Sequence, residues 1–120
     1  MKTTALLSLA SALALWASTP ANSEEAQSEL VIAGHDFALK VCANCHVVAK
    51  DQDSVPILKP PAPSFTVIVA RPEATEVSLR SFLSNPHGKL RQNSKMPAFR
   101  LADFQINQIV AYLLSLKGNQ

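Results

Sequence analysis

The sequence predicts an all-α domain in which three main helices are joined by long, proline-rich loops. Segments 28–41 and 102–116 place apolar residues at helical spacing. Five prolines within 47–74 exclude a long helix there, and no convincing pair of strand segments is present. Long loops are uncommon in a small compact domain, so we expect a bound group to fill the centre of the fold.

The N-terminal residues have the pattern of an export signal. Lys2 precedes the uncharged apolar run Ala5–Ala17, and Ala21-Asn22-Ser23 offers small residues to a signal peptidase. The run is shorter than the ~20 residues that a membrane-spanning helix needs, although an uncleaved anchor is the alternative. We therefore predict a signal peptide over 1–23, cleaved near Ser23, followed by one domain over 24–120 and export to the periplasm.

Composition and charge exclude several classes of function. The 120 residues are 48% hydrophobic and 17% charged, with a formal net charge of +2. The basic residues are too few and too dispersed to indicate a nucleic-acid partner. Two cysteines cannot build a disulfide scaffold, but they can define a chemical site.

The first and last helices are predicted from one apolar face each. In the first, the face contains Gly34, which costs about 1 kcal/mol inside a helix and therefore indicates the close approach of another backbone. In the last helix, Gly118 suits the C-terminal end. The two faces comprise Leu30, Gly34, Phe37, Ala38 and Val41, and Ile106, Ile109, Val110, Leu113 and Leu116.

A short third helix is predicted between the prolines and a turn. Thr75 provides an N-cap, Glu76 favours the first turn, and the helix extends through Leu83. Residues 24–29 are polar and are expected to be frayed. Thr66–Ala70 is rich in β-branched residues, so a strand remains an alternative for this segment.

The segment Cys42-Ala43-Asn44-Cys45-His46 has the C-x-x-C-H pattern of haem attachment. The two thiols add to the vinyl groups on one edge of haem, and the adjacent histidine is then held beneath the iron. The alternative is a haem-free dithiol protein that exchanges disulfides or binds zinc. That alternative fits a βαβ setting, whereas this motif closes a predicted helix. We therefore predict one haem c attached through Cys42 and Cys45.

A second iron ligand is available from three residues. Met96 lies in a loop between Lys95 and Pro97, where a methionine is a poor core filler, so we predict that it binds the iron with His46. His87 and His35 are the alternatives. His87 lies in a Pro-His-Gly turn, and His35 lies on the helix that carries the motif.

Over about residues 28–117 the chain resembles the class I cytochromes c, the small monohaem electron carriers of the bacterial periplasm. Gly34 matches the glycine of the N-terminal helix, and Val110-Ala111-Tyr112-Leu113 matches the C-terminal helix that crosses it. Pro63-Ser64-Phe65 resembles the segment whose proline carbonyl accepts a hydrogen bond from the ligand histidine. Met96-Pro97 resembles the distal ligand loop.

The resemblance has departures. Ala38 stands where many members have an aromatic residue, and Pro61 competes with Pro63 for the carbonyl role. No tryptophan remains after residue 23 to bind a haem propionate, so Arg71 or a residue of the 85–95 loop is expected there.

The expected function is one-electron transfer without catalytic residues, rather than enzymatic turnover. The iron would cycle between Fe(II) and Fe(III) with both axial positions filled. The alternative is a peroxidase or gas sensor with an open or displaceable distal ligand. The residues expected to surround the haem are Leu30, Val41, Phe65, Ile109 and Leu113.

The expected partners are redox proteins that bind transiently, such as a dehydrogenase, an oxidase or a respiratory complex. The mature protein is expected to be monomeric, without a membrane span. Four basic residues near Met96 would steer an acidic partner or would simply keep a loop solvated; they are Lys89, Arg91, Lys95 and Arg100.

Overall fold

The computed structural model describes residues 21–85 and 96–118 of the chain. The described residues form four α-helices and one π-helical turn, with no strand among them. The helices are α1 (Ala21–Phe37), α2 (Phe65–Val69), α3 (Glu76–Ser84) and α4 (Asp103–Lys117), and the π-helical turn is Ala38–Cys42. The all-α prediction is confirmed. In the described ranges no helix is long and apolar enough to cross a membrane.

Helix α1 begins at Ala21, so the expectation that residues 24–29 are frayed is wrong. The apolar periodicity begins only near Ser28. Alanine, glutamate and glutamine have high helix propensity, and Glu24 interacts favourably with the N-terminal end of the helix dipole. Local propensity therefore extends the helix before any of its residues reach the core.

Helices α1 and α4 form the main packing interface. A Cβ built on Gly34 would overlap the backbone carbonyl of Gln108 and would lie 2.8 Å from the Cβ of Tyr112. Only glycine permits this approach, which confirms the prediction made for Gly34. Gly118 does end α4, but its φ of −74° is right-handed, so the left-handed freedom of glycine is not used there.

Residues 66–69 lie in α2 and Ala70 is the C-cap of that helix, so the segment is helical rather than a strand. Ser64 caps this helix, because its Oγ accepts from Val67 N at 3.3 Å. Phe65 and Val69, one helical turn apart, are both buried. The β-branched residues are therefore compatible with a helix that has a side-chain cap and one buried face.

The predicted start of α3 is confirmed. Thr75 Oγ1 accepts from Ser78 N at 3.2 Å, and Ser78 Oγ accepts from Thr75 N at 3.0 Å. This reciprocal pair satisfies backbone donors that the first turn leaves without helical partners. At the start of α4, Gln105 Oε1 accepts from Ala102 N at 2.9 Å.

One hydrophobic core joins the helices to the turn that follows α1. Residues from α2, α3 and α4 meet there with residues of the motif segment. The buried members are Ala38, Ala43, Val48, Phe65, Val69, Leu83, Ile106, Ile109, Val110, Tyr112 and Leu113. This core orients the C-x-x-C-H segment toward the centre of the fold.

Candidate functional site

The C-x-x-C-H segment follows the π-helical turn without a break. Ala43 N donates to Ala38 O at 3.0 Å, the wider bonding pattern of a π-helix, which is often found at functional sites. Cys45 N and His46 N both donate to Cys42 O, at 3.1 and 3.0 Å. This tight turn keeps Cys42, Cys45 and His46 close together, and of the two cysteines Cys42 packs against the core. The two cysteines are half-buried and are not joined in a disulfide.

Burial raises the pKa of the Cys42 thiol to about 11, and the neighbouring Cys45 adds to this increase. The surroundings of Cys42 therefore disfavour a thiolate. A thioether carries no charge, so conversion of the thiol to a thioether is compatible with this apolar position. Among the described residues, no group of three or more histidine, cysteine, aspartate or glutamate side chains is placed to hold a metal ion.

The imidazole of His46 is buried and has a defined orientation. Its Nδ1 lies 2.7 Å from the carbonyl oxygen of Pro63, and its ring centroid lies 5.7 Å from that of Phe65. A carbonyl can only accept a hydrogen bond, so Nδ1 carries the proton. Nε2 then presents its lone pair, the arrangement found for histidines that bind a metal.

The loop after the motif returns to it through backbone hydrogen bonds. Ile57 N donates to Asn44 O at 2.9 Å, Ala62 N donates to Cys45 O at 3.1 Å, and Phe65 N donates to Val47 O at 2.9 Å. These bonds place Pro63 beside His46, so Pro63 rather than Pro61 provides the carbonyl that contacts the ring.

An apolar cleft lies beside His46. The empty space in and around the cleft is about 450 Å³, which includes open solvent. His46 and Met96 both line the cleft, as does Cys42. The full lining is Cys42, His46, Phe65, Ile68, Leu79, Phe82, Leu83, Met96, Ile109 and Leu113. A thiol, an imidazole and a thioether around an apolar cleft fit a covalently attached haem.

Two of the five residues predicted to surround the haem do not line the cleft. Phe65, Ile109 and Leu113 line it as predicted. Leu30 instead lines a second cavity between α1, α3 and α4, and Val41 lines neither cavity. Leu30 lies in α1, which packs mainly on α4, and Val41 lies in the π-helical turn.

The alternative ligand His35 is engaged away from the cleft. Its Nε2 lies 3.0 Å from Asp51 Oδ1, its Nδ1 lies 3.3 Å from Asp36 Oδ1, and its ring meets the edge of the Tyr112 ring. The bond to Asp51 is the main reason that the pKa of His35 is raised, and the same bond lowers the pKa of Asp51. His87 lies outside the described residues, as do Lys89, Arg91 and Lys95.

The structure also identifies supporting contacts of two residues that sequence reasoning missed. Tyr112 lies beside Gly34 at the crossing of α1 and α4, and its hydroxyl donates to Val48 O at 2.9 Å. Gln52 has no recognisable pattern in the sequence, yet its side chain contacts several backbone groups of the motif segment. Both residues act on backbone atoms, which leave no signal in residue type or spacing.

Comparison with known proteins agrees with the geometry. The Cytochrome c family matches residues 31–117 of the chain. Cytochrome c-552 of Bradyrhizobium diazoefficiens is 38% identical over 87 residues, which cover 71% of this chain and 75% of that protein. No solved structure matches the chain. The family binds haem c covalently, and Cys42 and Cys45 have the spacing that attachment needs. The chain therefore belongs to the cytochrome c family and is a haem protein of electron transfer.

Proposed function

We propose that this cytochrome c is a periplasmic one-electron carrier whose haem iron is held by His46 and Met96. The observation that carries the proposal is that both side chains line the same apolar cleft, next to Cys42. When bound, haem supplies a redox centre that alternates between Fe(II) and Fe(III).

His46 would provide the proximal ligand through Nε2. The Pro63 carbonyl supports this role, because its 2.7 Å hydrogen bond to Nδ1 fixes both the tautomer and the plane of the ring. The hydrogen bond also increases the basicity of the imidazole. Phe65 packs against the ring and limits its rotation.

Met96 would provide the distal ligand through its thioether. A soft, neutral sulfur favours Fe(II) and raises the reduction potential relative to a second imidazole. Phe65, Ile109 and Leu113 line the cleft with apolar surface, which disfavours the additional positive charge of Fe(III) in the same way. If His46 and Met96 both hold the iron, no open position would remain for a substrate, and the protein would act as a carrier rather than an enzyme.

The N-terminal residues support export of the protein, and its proposed role as a carrier indicates the kind of partner. The basic start and apolar run within residues 1–23 support a periplasmic location and cleavage near Ser23. A carrier of this kind exchanges electrons with a dehydrogenase, an oxidase or a respiratory complex through transient contacts, and we propose that it does so as a monomer.

Replacement of the distal ligand tests the proposal. We expect Met96→Ala to keep the haem attached but to open the distal position, so that reduced Met96→Ala binds carbon monoxide and the wild type does not. Leu101→Ala is the matched control, because Leu101 packs against the core without lining the cleft. Carbon monoxide binding by the reduced wild type to the same extent as by Met96→Ala would remove Met96 from its role and favour a sensor or peroxidase, and an absence of binding by both proteins would assign the distal position to another residue.

A further inference from the structure

The side-chain amide of Gln52 hydrogen-bonds to backbone atoms of the segment that carries the haem motif. Oε1 accepts from Val48 N at 2.8 Å. Nε2 lies within hydrogen-bond distance of three carbonyl oxygens, at 3.3 Å from Ala43, 3.2 Å from His46 and 2.7 Å from Ser54, so its two N–H groups are shared among them. One amide group therefore connects the C-x-x-C-H segment, at Ala43 and His46, with the loop that follows it, at Val48 and Ser54.

These backbone groups need the partner that Gln52 provides. Ala43 and Val48 are each only 2% exposed, and His46 is 9% exposed. Buried backbone groups without hydrogen bonds are costly. A primary amide accepts from an N–H and donates to carbonyls at the same position, whereas an ionised carboxylate cannot donate and a hydroxyl provides only one proton.

We propose that Gln52 is a positioning residue for the axial ligand His46. This inference rests on the proposed function, in which His46 binds the iron. Gln52 fixes the carbonyl of His46, the turn fixes its N–H through Cys42 O, and Pro63 fixes its ring. The backbone and the ring of the ligand are therefore held separately, and loss of Gln52 releases the carbonyl of His46 while the bonds to Cys42 O and Pro63 O remain.

The variant Gln52→Met tests this inference, because methionine has a similar length and volume but lacks both the acceptor and the amide donors. The haem-loaded protein is examined by hydrogen exchange at Val48 N–H and by the paramagnetically shifted NMR resonances of the His46 ring in the oxidised state. We expect exchange at Val48 to accelerate about tenfold and the ring resonances to move. Gln27→Met, at an exposed position of α1, is the matched control and is expected to change neither.

A second variant distinguishes the acceptor role of the Gln52 amide from its donor role. It also provides a test if Gln52→Met does not accumulate as folded protein. Gln52→Glu keeps an acceptor for Val48 N–H but cannot donate to the carbonyl of His46. We expect Val48 to remain protected while the His46 resonances move. Val55→Glu adds a comparable charge at an exposed position nearby and is expected to leave the ring resonances close to those of the wild type.

The outcomes distinguish this inference from the proposed function. Shifted His46 resonances that are present in the wild type and unchanged in both Gln52 variants would overturn the positioning role alone. A wild-type protein without strongly shifted His46 resonances would overturn axial ligation by His46, and the inference with it. Unchanged exchange at Val48 in Gln52→Met would show that the amide does not form the observed bonds.

Discussion

Gly34 of α1 lies directly against the backbone of Gln108 in α4: a Cβ on Gly34 would overlap the Gln108 carbonyl oxygen and lie 2.7 Å from its carbonyl carbon. The obstructing atoms are backbone atoms, so they cannot move aside as a flexible side chain would. The crossing of these two helices is therefore set by the absence of a side chain at one position. Because α1 leads into the motif, the same contact positions the haem-attachment turn.

We expect Gly34→Ala to destabilise the protein. Alanine gains about 1 kcal/mol of helix propensity, but the helices must separate to accommodate its methyl group. We expect a net loss of about 1–3 kcal/mol in the free energy of unfolding, measured by denaturant titration of the haem-loaded protein. Gly118→Ala is the control, because the nearest atom to its added Cβ lies 3.9 Å away. Equal stabilities for the two variants would refute the close approach.

The hydroxyl of Tyr112 stabilises the segment that follows the haem motif. Tyr112→Phe keeps the ring but leaves the buried carbonyl of Val48 without this donor. We expect a loss of about 1 kcal/mol in the free energy of unfolding. Ser84→Ala removes an exposed hydroxyl that donates to Arg80 O, and is expected to cost less. A Tyr112→Phe variant as stable as the wild type would show that the bond to Val48 contributes nothing.

The pair His35–Asp51 predicts a pH-dependent contribution to stability. The pKa of His35 is raised above 6.5, so its contribution is complete below pH 6.5 and is lost as the pH rises through the raised value. The pKa of Asp51 is lowered below 3.8, so its contribution is present above pH 3.8 and is lost as the pH falls through the lowered value.

The stability difference between wild type and Asp51→Asn is therefore expected to be largest between about pH 4 and pH 6.5. Denaturant titrations across that range measure it, and the difference is expected to decrease at higher pH as His35 loses its proton. Asp53→Asn, a neighbouring carboxylate without a bond to His35 among the described contacts, is expected to follow the wild-type profile. A difference that is independent of pH would contradict the pairing.

Removal of both thiols tests covalent attachment. We expect Cys42→Ala combined with Cys45→Ala to abolish covalent haem, because no other cysteine is present in the chain. Acid–organic extraction of the protein, produced with haem-attachment machinery, measures the result. Haem that remains with the polypeptide after extraction of the double variant would contradict attachment at these positions.

Sequence reasoning succeeds here where local chemistry decides the structure. The Thr75 cap, the apolar face of α4 and the C-x-x-C-H spacing can all be predicted from the sequence. It fails for the start of α1, where helix propensity acts without apolar periodicity. It also fails for Leu30, because a regular apolar face does not reveal which neighbour covers each of its residues.

The supporting contacts of the site are harder to predict for a different reason. The choice between Pro61 and Pro63 depends on how the loop returns to the motif, which backbone hydrogen bonds determine. Gln52 also bonds only to backbone atoms. Such contacts depend on the loop conformation rather than on residue type, so only the structure identifies them.

The most direct test of the central claim is the absorption spectrum of the haem-loaded protein in its oxidised and reduced states. Iron held by His46 and Met96 predicts a low-spin reduced spectrum and, in the oxidised state, the weak near-red band of a methionine sulfur bound to Fe(III). A high-spin spectrum without that band would contradict the account, because it would show that the distal position is open.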